Sequence, residues 1–142
     1  MTVPSPTPVR QAGAAVAFEG AAALVVAVVL VVLYLSESQH LAWLNGLGTA
    51  IWFAIMGAGV LTAGWALWTG RRWGRGIAVF AQLLLLPVAY YMAVGSGQWA
   101  LGVPVGLIAV VVLALLFSRS ALEWVAAQPG PASADNSGPD TR

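Results

Sequence analysis

Four apolar stretches separated by short polar links dominate the chain, at residues 12–35, 47–69, 76–94 and 99–118. Each has about the 20 residues that a helix needs to cross a bilayer's hydrocarbon core. Within lipid, backbone groups must pair internally, which leaves only helices or a closed barrel. Barrel strands would alternate at every second residue, whereas Leu24–Leu33 and Leu83–Leu86 are continuously apolar. The pattern therefore predicts an all-α polytopic membrane protein. Short links set its four transmembrane helices antiparallel in one bundle.

The flanks differ in kind. Residues 1–11 carry Pro4, Pro6 and Pro8 and predict an extended, disordered cytoplasmic arm. Residues 120–127 predict a short juxtamembrane helix or an extension of the fourth span, with Ser120 and Glu123 at capping-box spacing. From Gln128 onward Pro, Gly, Ser, Ala and Asp leave nothing to bury, and residues 128–142 read as a disordered cytoplasmic tail. The first apolar run is longer than the 7–15 residues of a signal peptide's core, so it reads as a retained span.

Composition sharpens the class. Hydrophobic residues make up 60% and charged residues 8% of 142, against about 25% charged in a soluble domain. That excludes a soluble enzyme, a nucleic-acid binder or a disordered protein over most of the length. No cysteine is present, which removes disulfides and thiolate metal sites. Arginine placement fixes the expected orientation. Arg10, Arg71, Arg72, Arg75 and Arg119 share one face of a four-pass topology, and the two opposite links hold no arginine or lysine. Cytoplasmic flanks collect such residues, so both termini are expected in the cytoplasm of a bacterial plasma membrane. Tyr34, Trp43, Tyr90, Tyr91 and Trp99 then mark the outer interface, and Trp65, Trp68, Trp73, Phe117 and Trp124 the inner one.

Helix contacts in lipid favour small residues. The second span carries Ala50, Ala54, Ala58, Thr62 and Ala66 at four-residue spacing, the first Gly13, Ala17 and Ala21, and the fourth Gly102 and Gly106 continued by Ala114. These stripes make the internal bundle of one chain, or one of them dimerises the protein or docks a larger partner. Pro87 interrupts the hydrogen-bond ladder of the third span and predicts a static kink.

Few groups offer chemistry. Glu19 and Gln82 are the intramembrane polar candidates, at similar depth on the inner side, and a hydrogen bond joins them if their helices are neighbours. A carboxyl at that depth costs a few kcal/mol and faces a bundle interior. It reaches the inner headgroups, serves as structural glue bonded to Gln82, or acts as a proton or cation site or as a contact to a partner's arginine. Glu37 and His40 supply two ligands where a zinc site needs three or four, so no metal and no cofactor is expected. The basic loop of Arg71, Arg72 and Arg75 is a candidate contact for anionic lipid headgroups or a partner protein, at about 1 kcal/mol per arginine.

The Glu19-bearing first span, the segment GWALWTGRRWGRGIAVFAQLLLLPVAYYMA and the following LGVPVGLIAVVVLALLFSRSA resemble a set of small four-helix integral membrane proteins of high-GC Gram-positive bacteria (actinobacteria). That set is uncharacterised, and the resemblance implies a fold but no activity or site residue. Arginine without a single lysine fits GC-rich coding. Four helices with one acidic residue in the first are also similar to small multidrug transporters, whose surrounding pattern is not matched. The sequence thus leads to a non-enzymatic membrane protein. Its expected role is an accessory or assembly subunit packing against itself or other membrane proteins, with no nucleic-acid partner. The alternative is a small homo-oligomeric proton-coupled transporter using Glu19.

Overall fold

A computed structural model describes residues 4–36 and 43–127. It contains five α-helices: α1 (Thr7–Ser36), α2 (Trp43–Trp68), α3 (Trp73–Tyr90), α4 (Trp99–Leu116) and α5 (Arg119–Ala126). A π-helical turn, Tyr91–Gly95, extends α3. The first four helices, with that turn, are long and apolar enough to cross a membrane, and no strand occurs among the described residues. The architecture is an all-α, multi-pass membrane bundle.

Local chemistry explains the element ends. Pro8 stands in the first turn of α1, where the missing N–H has no helical partner to lose. The helix therefore starts at Thr7, and the Arg10 amide already donates to the Pro6 carbonyl at 3.1 Å. At the end of α2, Gly70 takes a φ of 81°. Its amide donates to Leu67 O at 3.2 Å and that of Arg71 to Ala66 O at 2.7 Å, the paired bonds of a Schellman C-cap. Gly97, at a φ of 68°, reverses the chain between the π turn and α4. Ser118 is extended and its Oγ accepts from the Ala121 amide, which separates α5 from α4.

Helices α1 and α2 form an antiparallel hairpin whose seam repeats every seven residues, with Gly13 and Gly20 facing Gly64 and Gly57, and Ala27 and Ala50 continuing the two rows at the same spacing, all six buried. A seven-residue repeat drifts only about 20° around a straight helix, which keeps small residues in the seam over many turns. The backbones meet so closely that a Cβ on Gly57 would lie 3.0 Å from Gly20 O, and one on Gly20 or Gly64 would overlap backbone atoms of Leu61 or Ala17. In the α3–α4 hairpin, Gly102 lies against Ala89 and Ala93. The ring runs α1, α2, α3, α4 and closes between α4 and α1, leaving α1 and α3 on a diagonal.

Packing is concentrated at one end. The contiguous core joins Val9, Ala12 and Val16 of α1, Ala63 and Leu67 of α2, Ala78 of α3, Val112 and Leu116 of α4, and Ala121 and Trp124 of α5. All lie toward the arginine-bearing ends of their helices. On α2, the side that meets α3 at Ala63 and Ala66 through Gly74 is uncovered further along. There Trp52, Ile55 and Met56 are exposed, and a Cβ on Gly59 would meet nothing within 4 Å. Beyond that level the two hairpins part.

Several expectations need correction. Residues 7–11 are helical rather than part of a disordered arm, because Val9 is completely buried in the core. Of the two readings of residues 120–127, a separate short helix is the one found, at Arg119–Ala126, but Ser118 rather than Ser120 is its cap. Trp124 is a core residue, so it leaves the interfacial belt. The four-residue stripe is not the seam of α2. Four-residue steps turn about 40° each on a 3.6-residue helix, so the row starts on the α1 side at Ala50 and ends on the α3 side at Ala66. Between them it crosses half-buried Ala54 and then exposed Ala58 and Thr62. By the same drift Ala21 and Ala114 are exposed, whereas Gly20 is buried. The expected cytoplasmic tail, residues 128–142, lies outside the described residues, as do Glu37 and His40.

Candidate functional site

Two polar side chains meet inside the bundle. Gln82 is fully buried, and its Nε2 donates to Glu19 Oε2 at 2.5 Å. Gln82 follows Gly74 and Ala78 at four-residue spacing on the buried side of α3. Glu19 immediately precedes Gly20, whose missing side chain lets α1 and α2 close together. Because α1 and α3 are diagonal, the bond spans the bundle and links one hairpin to the other. It lies at the edge of the apolar core, just past Val16 and Ala78 along their helices. The Gln82 Oε1 is buried and, among the described residues, accepts no hydrogen bond. The hydrogen bond between Glu19 and Gln82 forms, but across the diagonal, which two long side chains can reach, rather than between adjacent helices.

The basic link divides into different environments. Arg75 belongs to α3 and turns inward: its Nε and Nη2 donate to Leu116 O at 3.2 and 3.0 Å. Its guanidinium also lies 5.2 Å from the Phe117 ring centroid. The two bonds converge on one carbonyl, that of the last residue of α4, where a cation complements the helix dipole. Arg75 therefore leaves the set expected to contact lipid or a partner. Arg71 is exposed and Arg72 half-buried.

A third feature was missed from the sequence. The Arg10 guanidinium stacks over Trp68, 4.7 Å from the ring centroid. Nearby, Ser5 Oγ donates to Trp68 O at 3.4 Å. Pro4, Ser5, Arg10, Trp68 and Thr69 line an open recess of about 310 Å³. The signal was present in Arg10, but it depends on α1 starting early enough to place that residue beside the end of α2.

Of the small residues expected to make contacts, Ala50, Ala66 and Gly102 are buried, Ala54 and Gly106 half-buried, and Ala58 and Thr62 exposed. The Thr62 hydroxyl donates to its own helix at Ala58 O, at 2.7 Å. Among the described residues no group of three His, Cys, Asp or Glu side chains is placed to hold a metal ion. Compared with known proteins, the chain matches no family model, no curated sequence and no solved structure.

Proposed function

We propose that this protein is a non-enzymatic accessory or assembly subunit of a bacterial plasma membrane, with both termini cytoplasmic, packing against itself or other membrane proteins. The observation that carries the reading is the uneven packing. One end of the bundle is consolidated by a contiguous core, while the α2 side bearing Trp52, Ile55 and Gly59 is left uncovered. Such a face offers close backbone approach at glycine and a large apolar area, the combination that favours helix association in lipid. The Glu19–Gln82 bond supports the same reading, since it ties hairpin to hairpin within the chain. The arginines at one end of the helices support the orientation, and exposed Arg71 supports a contact with anionic headgroups.

A second reading is a homo-oligomeric proton-coupled transporter using Glu19. What favours it is the buried Gln82 Oε1, which among the described residues accepts no hydrogen bond, an unused acceptor beside an intramembrane carboxyl. Native pull-down with mass spectrometry on the detergent-extracted full chain tests the first reading, with defined membrane-protein partners or homo-oligomers as the expected result. Glu19→Gln separates the two: lost assembly supports the accessory role, and intact assembly with abolished proton-coupled uptake in vesicles supports transport.

A further inference from the structure

We propose that the recess between the start of α1 and the end of α2 is a binding site for the phosphodiester headgroup of an anionic membrane phospholipid, gripped by Arg10. Its place along the spans is the first argument. Arg10 lies in the first turns of α1, and Trp68 is the last residue of α2. Both therefore lie where a spanning helix leaves the hydrocarbon for the headgroup layer. The state of Arg10 is the second. Among the described residues its guanidinium has no carboxylate partner and stacks on the Trp68 ring, 4.7 Å from the centroid. Stacking on an indole fixes the plane of the fork while leaving its edge of N–H donors unused. A pre-oriented planar fork suits two oxygens of one phosphate.

The surroundings complete the site. Ser5 Oγ holds Trp68 O only at 3.4 Å, long for a hydroxyl bond, so its proton can turn to a phosphate oxygen. Thr69 Oγ1 donates to Trp65 O at 3.0 Å, which leaves its lone pairs available to a glycerol hydroxyl. The indole face and Pro4 give an apolar wall for the first carbons of the lipid. The recess, about 310 Å³, lies at the small end of ligand-pocket volumes and suits a headgroup better than a whole lipid. This site is distinct from the loop around Arg71 and does not depend on the accessory role.

The test uses the full chain in zwitterionic detergent micelles doped with phosphatidylglycerol, with bound lipid read by native mass spectrometry. Arg10→Gln is expected to weaken the tightest phosphatidylglycerol adduct about tenfold, the loss of one charge-assisted bidentate contact. Arg71→Gln, which removes the same charge from the neighbouring loop, is expected to weaken it less than twofold. Arg10→Lys keeps the charge without the fork and should fall between wild type and Arg10→Gln. Equal losses in Arg10→Gln and Arg71→Gln would reduce the effect to net charge and overturn the site, as would no loss in Arg10→Gln. Displacement of the lipid by an equal concentration of inorganic phosphate would overturn the assignment to a lipid. Matching far-UV circular dichroism and melting curves establish that each variant is folded.

Discussion

Gln82 reaches Glu19 across the diagonal of the bundle, so one side-chain hydrogen bond joins two hairpins that otherwise meet mainly at the arginine-bearing end. Membrane interhelical hydrogen bonds of this kind contribute on average only about 0.6 kcal/mol. Breaking one partner costs more, because the survivor keeps its desolvation penalty.

Gln82→Leu should accordingly destabilise the bundle by about 1–2 kcal/mol, leaving Glu19 without its donor. Glu19→Leu combined with Gln82→Leu should lie closer to wild type than Gln82→Leu alone, since it removes the carboxyl that the single variant leaves without a donor. Denaturation in mixed detergent and SDS micelles measures both. A double variant less stable than Gln82→Leu alone would contradict this account.

Glycine content alone does not identify the critical glycines. Gly64→Ala drives a methyl into the Ala17 backbone and should cost about 2–3 kcal/mol by overpacking. Gly59→Ala meets open space and gains helix propensity, so it should be neutral or stabilising by up to about 1 kcal/mol. Melting temperatures of the two purified variants make the comparison.

Arg75 acts as a clasp between the start of α3 and the end of α4. Arg75→Gln should lose about 1.5 kcal/mol, the value of a hydrogen bond from a charged donor. Arg71→Gln, at an exposed position, should change stability by less than about 0.5 kcal/mol. Unfolding of both variants in the same detergent gives the contrast.

Trp124 anchors α5 beneath the bundle with Ala121. Trp124→Ala should cost about 3–5 kcal/mol if α5 stays cooperative with the rest. If α5 releases on its own, cleavage by a protease near Arg119 should accelerate while the spans remain protected. Limited proteolysis followed by intact-mass measurement distinguishes these outcomes.

The spans were legible in the sequence because length and charge depletion decide them, independently of packing. Their partners were not. The seam of α1 and α2 depends on register between two helices, and the abundance of alanine offered a four-residue row as attractive as the true seven-residue one. Residues 7–11 illustrate the same limit: Pro6 and Pro8 suggest an extended arm, but burying Val9 in the core outweighs that preference. Glu19 and Gln82 stood out as rare polar groups, yet only tertiary structure could show that they meet diagonally. Arg75 looked like one of three equivalent loop charges. The carbonyl it caps is far away in sequence, at Leu116.

Gathering the core at one end divides the molecule into regions of unequal tolerance to change. Along the valine-rich stretch from Val25 to Leu33, where most side chains face outward, one aliphatic residue can replace another at little expense. Around Val16, Ala63 and Ala78 an added or missing methyl must be answered by several neighbours at once. Drift among homologous chains should therefore run fast at the far tips of the hairpins and slowly at their joined base.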